Sequence, residues 1–508
     1  MWTRESLHDL VQNGLQGIKF IVVSNREPYL HQRHGEEIRY TRPASGMAAA
    51  LDPIMRAAGG VWVAAASGDA DREVVDAADH VGVPPEDPSY ILRRVWLDER
   101  LEKEYYNGLS NEGLWPLCHV AFSRPHFSLR HWESYREANQ LFAEAVLEEA
   151  AGGPAFVFIQ DYHFALLPRI LKDRNPNLIV AQFWHIPWPN REVFRTFPWG
   201  EELLDGLLGN DLLGFHLRYH CGNFVETVDR GVEAKVDHEH LAVTRGGHTT
   251  KVRPFPISVD FDRHTAMADS IEVDREMGRW HRELQLRTDF LGIGIDRLDY
   301  TKGIPDRLAG LESFFEEHPD YRGRVTLVQI GVPSRTEIGK YKALGDEVEQ
   351  LVRRLNWRWG RGSWQPVIFL RGDYPLERLM ALHRIADFCM VTSLHDGMNL
   401  VSKEFVASRY DGDGVLILSH FTGAARELTD ALLVNPYAPN EIGDAIFTAL
   451  TMPAEERQRR MRRMRAAVAE NNIYRWAGKV FSSLLKFELP ETAMADVEIG
   501  SRVSEAGA

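Results

Sequence analysis

The residues of this chain best suited to chemistry fall in two short segments. The first runs through Asp396, Gly397, Met398, Asn399 and Leu400 to Glu404, directly after an apolar, strand-like stretch, Phe388 to Thr392. A strand that ends in a glycine-containing turn and feeds a helix directs free backbone N–H groups and the positive end of the helix dipole at one point, which makes an anion platform. Glu404 is expected two turns into that helix, within reach of a ribose hydroxyl. The second segment, Ile295 to Gly303, also follows an apolar strand and carries Arg297 and Lys302 five residues apart. Two cations past a strand end, together with two helix N-termini, suit a diphosphate that departs as an anion.

Other polar groups stand where strands should end: Ser24-Asn25-Arg26-Glu27, Gln160-Asp161-Tyr162-His163, His185-Ile186-Pro187 and Ser334-Arg335, with Ser45-Gly46-Met47 in a loop ahead of a helix. Ligands of doubly wound folds bind in the crevice outside the carboxyl ends of strands, so these groups are expected to converge on one interdomain cleft. Each also has a plainer reading. Arg26 fits a surface ion pair, Asp161 and His185 fit structural hydrogen bonding, and Tyr105, Tyr106 and Trp115 fit a core. No G-x-G-x-x-G opens the first βα unit. His238 with His240, and His216 with His220, lack a third nearby ligand and read as surface histidines; no metal is expected. Asp411-Gly412-Asp413 reads as a turn.

Positioning these groups requires two cores, since 508 residues exceed what one core holds. Ile18 to Val23, Phe156 to Ile159, Leu178 to Phe183 and Leu212 to Phe215 read as strands of a first sheet. Phe290 to Ile295, Val325 to Ile330, Val367 to Leu370, Phe388 to Thr392 and Val415 to Leu418 read as a second. Continuous apolar runs of this length are the pattern of parallel strands buried on both faces. The expected class is α/β, two doubly wound Rossmann-like domains facing a cleft. The expected boundaries are 1–255 and 256–470, with the break near the prolines of Val252 to Ile257, a C-terminal helix over 471–490 able to pack back on the N-terminal domain, and a disordered tail over 491–508. His31 to Tyr40 lengthens the first loop and reads as a flexible lid.

A net charge of −14 speaks against nucleic acid or an anionic membrane as partner. Three scattered cysteines make no disulfide framework and fit a reducing, cytoplasmic setting. No run is long enough to span a bilayer. A homo-oligomer is left open.

Taken together, the ordered motifs resemble the trehalose-6-phosphate synthase family of retaining GT-B glycosyltransferases, from about Ile18 to about Leu485. The resemblance is carried by Ser24 to Arg26, Glu104 to Asn107, Leu114 to Pro116, Asp161 to His163, His185 to Pro187, Arg297 to Gly303, Ser334-Arg335, Asp396 to Glu404 and Ser419 to Ala424. It implies a nucleotide-sugar donor, UDP-glucose by family default, a sugar-phosphate acceptor, glucose 6-phosphate, and no cofactor. By position it implies donor contacts from Gly46, Arg297, Lys302, Tyr374, Asp396, Gly397, Met398, Asn399, Leu400 and Glu404. Arg26, Tyr106, Asp161 and Arg335 resemble the acceptor-holding residues. Trp115 and Ile186 match positions linked to anomer choice, and His185 the histidine near the reacting sugar. Arg297, Lys302, His185 and Asp161 are thereby the implied catalytic set. The stretch Arg26 to Tyr29 resembles a related branch that makes glucosylglycerol phosphate, whereas Arg335 and Asn107 to Asn111 resemble the trehalose branch; a non-catalytic sugar-phosphate sensor is the third alternative. Two departures stand out: Ser45 replaces a donor-loop glycine, and Val63 to Ser67 lacks the family's acceptor-side tryptophan.

Overall fold

The computed structural model describes residues 2–15, 17–42 and 46–487; Ser45 and the tail expected over 491–508 lie outside the described residues. The chain divides into two compact units. One comprises Trp2–Cys118, Ser123–Pro256 and residues 474–487, the other His119–Phe122 and Ile257–Ile473.

In the first unit the strands are β1 (Lys19–Arg26), β2 (Leu30–His34), β3 (Glu37–Thr41), β4 (Val61–Ala65), β5 (His80–Val83), β6 (Tyr90–Val95), β7 (Ala155–Gln160), β8 (Ile179–Phe183), β9 (Leu212–Phe215), β10 (Lys235–Asp237), β11 (Ala242–Arg245) and β12 (His248–Pro254). All but β2 and β3 join one sheet in the order β10-β11-β12-β9-β8-β7-β1-β4-β6-β5. Its centre is parallel, and its margins, β10-β11-β12 and β5-β6, are antiparallel. The central strands bury every residue of Val61–Ala65, Ala155–Gln160 and Ile179–Phe183, as runs covered by helices on both faces must. Starting from β1, the chain builds outward through β4 and β6 on one side, then returns to build through β7, β8 and β9 on the other. The topological switch therefore falls between β1 and β7.

The second unit holds β13 (Phe290–Arg297), β14 (Val325–Val332), β15 (Val367–Arg371), β16 (Phe388–Val391), β17 (Val415–Ser419) and β18 (Leu432–Val434), paired in parallel in the order β15-β14-β13-β16-β17-β18. Its switch falls between β13 and β16, the two strands whose ends feed the segments carrying Arg297, Lys302 and Asp396. Two Rossmann-like α/β sheets follow from this arrangement.

The final helix, Ile473–Leu484, clusters with the first unit from Tyr474 onward. The Trp476 ring meets Phe158 at 6.2 Å and Phe183 edge-on at 5.3 Å, and Phe481 lies 4.8 Å from Phe20. Each such burial stabilises by about 2–3 kcal/mol, enough to hold a short helix with little intrinsic stability of its own.

Two expectations change, and further strands are added. The lengthened first loop is an antiparallel hairpin, β2-β3, turning at Gly35 with φ +67°. Its base is tied down: the His31 N–H donates to Asp71 Oδ1 at 2.8 Å. His216 and His220 are buried, not on the surface. His216 packs edge-on against Phe183 and donates from Nε2 to the His185 carbonyl at 3.0 Å, which anchors the backbone of a neighbouring strand end. Strands β4, β5, β6, β10, β11, β12 and β18, which the apolar runs do not mark, also join the sheets, and β12 takes up the first part of the stretch expected as the interdomain connection.

Candidate active site

The second unit's site is built on its switch point. β13 delivers Arg297 at its end; a single 3-10 turn, Tyr300–Lys302, and Gly303 then pass the chain into the helix Ile304–Glu317. Gly303 sits at φ +61°, and a Cβ there would stand 2.2 Å from the Thr392 carbonyl oxygen, so only glycine lets the turn lie this close to the end of β16. The close approach sets Lys302 Nζ 2.6 Å from Asp396 Oδ2. Burial alone would push the Asp396 carboxyl up, but the charge and hydrogen bond of Lys302 outweigh it and hold Asp396 well below the usual carboxylate range.

Asp396 is braced further by Asn399 Nδ2 at 3.2 Å. Asn399 has φ +89° and caps the helix Leu400–Ser408, its Oδ1 accepting from the Ser402 N–H at 3.0 Å. A non-glycine residue held in that conformation stores strain of about 1–3 kcal/mol. At this strained cap Met398 and Asn399 are buried. On the facing segment, Gly423 approaches so closely that a Cβ would meet the Gly397 carbonyl oxygen at 2.0 Å. Glu404 is the fifth residue of this nine-residue helix, just over one turn in rather than two, because Asn399 and not an earlier residue is the cap. Burial raises the Glu404 carboxyl above its ordinary 4.5, with the charge of His264 opposing.

Asp299, to which the sequence reading assigned no role, is the organising carboxylate of this unit. It has no exposure, and its Oδ1 accepts from the Thr301 N–H and from Thr301 Oγ1, both at 3.0 Å. Its Oδ2 lies 3.3 Å from Arg335 Nη1 and 3.9 Å from Arg297 Nη2. Burial would raise its carboxyl, but Arg335, Arg297 and Lys302 together hold it below the ordinary range. Arg335 has φ +50°, donates to Tyr341 Oη at 2.7 Å, and is almost wholly buried beside Arg297. Tyr374, past the end of β15, lies tilted against Trp280 at 5.5 Å, and the Arg378 guanidinium lies over both rings. Arg307 and Lys403, also unremarked in sequence, are interior braces. Arg307 joins Asp296, Gln329 and Thr392; Lys403 donates to the Ile257 carbonyl at 2.8 Å and Glu427 at 2.9 Å.

The first unit's site likewise lies at its switch point, at the ends of β1 and β7. Arg26 at the end of β1 donates to Tyr106 Oη at 2.9 Å. Tyr106 belongs to a 13-residue π-helical stretch, Glu102–Leu114, a wide helix of the kind found at functional sites. Tyr105 on the same stretch bonds Asn25 at 2.9 Å, and Asn111 accepts from Tyr162 Oη at 2.8 Å. The Tyr106 ring stacks on His163 at 5.5 Å, and Trp115, buried, leans on Tyr162 at 5.9 Å. Tyr162, His163 and Asn111 thus join the site through packing. The quoted motifs contained them, but their types gave no reason to choose them.

Asp161, after β7, has φ +72° and ψ 179°, a combination essentially reserved for glycine. The carboxylate is held in place by the Tyr162 N–H at 3.0 Å and the His185 N–H at 3.2 Å. His185 Nε2 donates to Gln160 Oε1 at 2.9 Å, and burial lowers its imidazole to about 3, so the ring is neutral. Ile186 beside it is buried. Gly46 opens the helix Gly46–Ala58. Where a tryptophan was missed in Val63 to Ser67, Ser67 instead donates from N and Oγ to Glu27 at 2.8 and 2.9 Å, and Glu27 also pairs with the fully buried Arg94. Burial, with Asp71 nearby, raises the Glu27 carboxyl.

Among the described residues no helix is long and apolar enough to cross a membrane. Both clusters lie at the carboxyl ends of strands beside the switch points of Rossmann-like sheets, where ligands of such folds bind. The family model for glycosyltransferase family 20 matches residues 18–486, so the chain belongs to that family, and it is a glycosyltransferase of the trehalose-6-phosphate synthase type. A trehalose-6-phosphate synthase of Mycolicibacterium vanbaalenii is 37% identical over 487 residues, covering 93% of this chain and 97% of that protein. A bifunctional trehalose-6-phosphate synthase/phosphatase of Thermoproteus tenax is 37% identical over 502 residues; the match covers 96% of this chain and 66% of that longer protein. Among solved structures, the E. coli protein bound with UDP-2-fluoro glucose superposes with a TM-score of 0.83 at 30% identity, covering 93% of this chain and all of that one. A UDP-forming alpha,alpha-trehalose-phosphate synthase from Burkholderia xenovorans in complex with glucose-6-phosphate gives 0.82 at 29% identity, covering 92% and 99%.

Proposed function

We propose that this chain transfers glucose from UDP-glucose to the anomeric hydroxyl of glucose 6-phosphate, with retention, giving trehalose 6-phosphate. The observation that carries the reading is the Lys302–Asp396 pair at the second unit's switch point, with Arg297 beside it on the Asp299 carboxylate. A departing diphosphate needs fixed positive charge at the leaving oxygens, and two braced cations supply it without reorganisation. The relatives' bound UDP-2-fluoro glucose and glucose-6-phosphate support the same pair of ligands.

In this reading Arg297 and Lys302 hold the diphosphate, the N–H groups of Gly397 to Leu400 hold the donor sugar and phosphate, and Glu404 accepts from the ribose hydroxyls. Gly46 approaches the diphosphate and Tyr374 the base side. Arg26, Tyr106, Asp161 and Arg335 hold the acceptor, Trp115 and Ile186 govern anomer choice, and neutral His185 orients the transferred sugar. The bond from the anomeric carbon to the phosphate oxygen breaks as the bond to the acceptor oxygen forms on the same face. The acceptor proton passes to the leaving diphosphate oxygen while the ring goes through an oxocarbenium-like state. The protein's part is positioning and charge stabilisation.

A matrix of donors against acceptors, with product mass and anomeric configuration determined, tests this. The expected result is α,α-linked trehalose 6-phosphate from UDP-glucose and glucose 6-phosphate. Preference for glycerol 3-phosphate would place the chain in the glucosylglycerol-phosphate branch that Arg26 to Tyr29 resembles. Binding of glucose 6-phosphate without any product would make it a sensor.

A further inference from the structure

We propose that Asp299 is the positioning residue of the cation cluster: one buried carboxylate holds Arg297 and Arg335 together, so that the donor-side and acceptor-side anion contacts are set by a single group. The proposal rests on the reading above, in which Arg297 grips the diphosphate and Arg335 the acceptor phosphate. The geometry points to it from three directions. One oxygen of Asp299 faces both guanidinium groups, at 3.3 Å and 3.9 Å, while the other is fixed by the backbone and hydroxyl of Thr301. The Asp299 carbonyl accepts from the Lys302 N–H at 2.9 Å, so the same residue closes the turn that carries the second diphosphate cation. Tyr341, 2.7 Å from Arg335 Nη1, fixes that guanidinium from another helix, Gly339–Trp359.

Arginine carries its charge at every accessible pH, and a flexible side chain loses conformational freedom whenever a ligand fixes it. A fully buried carboxylate with one oxygen pinned removes that cost in advance for two arginines at once. An amide in its place keeps the Thr301 contacts through its oxygen but loses the charge that holds the guanidinium groups. Both ligands should then bind less well, although Asp299 touches neither.

The test is equilibrium titration of the full chain with UDP and, separately, with glucose 6-phosphate, for the wild type, Asp299→Asn, Arg297→Gln, Arg335→Gln and the two double variants, with thermal unfolding measured alongside. Asp299→Asn should raise the dissociation constants of both ligands by about tenfold or more, the size expected of a lost charge-assisted contact. In the Arg297→Gln background Asp299→Asn should add little to the loss of UDP binding, and in the Arg335→Gln background little to the loss of glucose 6-phosphate binding. Additive losses in both cycles, or a lowered melting temperature with unchanged dissociation constants, would overturn the proposal. If Asp299→Asn does not accumulate folded, Thr301→Val takes its place: it removes one hydroxyl donor to Asp299 at nearly constant shape and should weaken both ligands in the same direction by a smaller factor, and unchanged binding would overturn the proposal. Should the wild type bind UDP and glucose 6-phosphate yet form no product, the transferase reading fails while the Asp299 cycles still decide this point. A wild type that binds neither removes both.

Discussion

Lys302 Nζ and Asp396 Oδ2 lie 2.6 Å apart, joining the turn after β13 to the turn after β16 across the switch point of the second sheet. In the proposed function a diphosphate bound there would meet a lysine already held in place. Lys302→Ala should lower kcat/KM by about two orders of magnitude or more, as loss of a charged donor to a leaving group does. The same change leaves the largely buried Asp396 without its cation, at a cost of up to about 3 kcal/mol. The double variant with Asp396→Asn should recover most of the melting temperature and none of the activity. Recovery of activity would mean that Lys302 serves only to neutralise Asp396.

Glu404 gives a pH signature with two opposite signs. Its carboxyl is raised by burial, so on acidification from neutral pH the folded protein takes up this proton before the unfolded chain, whose value is the ordinary 4.5. Its stability contribution is full below 4.5 and is lost as pH rises through the raised value. A protonated carboxyl accepts poorly from ribose hydroxyls, so donor KM should rise as pH falls toward 4.5 while this group's effect on the melting temperature is favourable. Glu404→Gln should flatten both trends in parallel pH series of kinetics and thermal unfolding.

Gly303→Ala combines a left-handed backbone with a Cβ 2.2 Å from the Thr392 carbonyl. The backbone strain alone costs about 1–3 kcal/mol, and the clash with a backbone atom adds to it. Urea unfolding should show the loss, and kcat/KM should fall with it because Lys302 is the preceding residue. A variant as stable as the wild type would mean that the turn relaxes freely.

Strain at Asp161 can be separated from chemistry by comparing two substitutions that both delete the carboxylate. Asp161→Gly suits φ +72°, ψ 179°, whereas Asp161→Ala does not. The glycine variant should be more stable than the alanine variant by about 1–2 kcal/mol, the order of one strained residue. Both should lose activity to a similar degree, since both lose the group that holds the His185 N–H. Equal stabilities would show that the local backbone does not resist a side chain.

Much of this architecture was legible in the sequence, and unevenly so. The continuous apolar runs around Ile21, Val157, Ile293 and Val328 mark parallel strands because a strand covered on both faces has no polar side to display. β4 and β6 are not marked in the sequence: Val61–Ala65 runs into alanines, which favour helix as much as strand, and Tyr90–Val95 includes two arginines, one of which, Arg94, is buried on Glu27. The π-helical stretch escaped as well, since Glu102–Leu114 carries no periodicity that separates it from an α-helix. The position of Glu404 was off by a turn because Asn399, with its left-handed backbone, caps the helix later than the pattern of apolar residues implies.

By itself the sequence determined which side chains stand near strand ends and singled out Arg297 and Lys302 as cations whose charge suits a phosphate, because side-chain chemistry and strand length are local properties. Only the tertiary structure decided that Asp299 would share one oxygen between Arg297 and Arg335, that Lys302 would close on Asp396, and that the half-buried His185 would have its imidazole lowered to about 3. Those outcomes depend on which strands become neighbours at the switch points and how far water is excluded there, and no stretch of chain shorter than a whole sheet sets either.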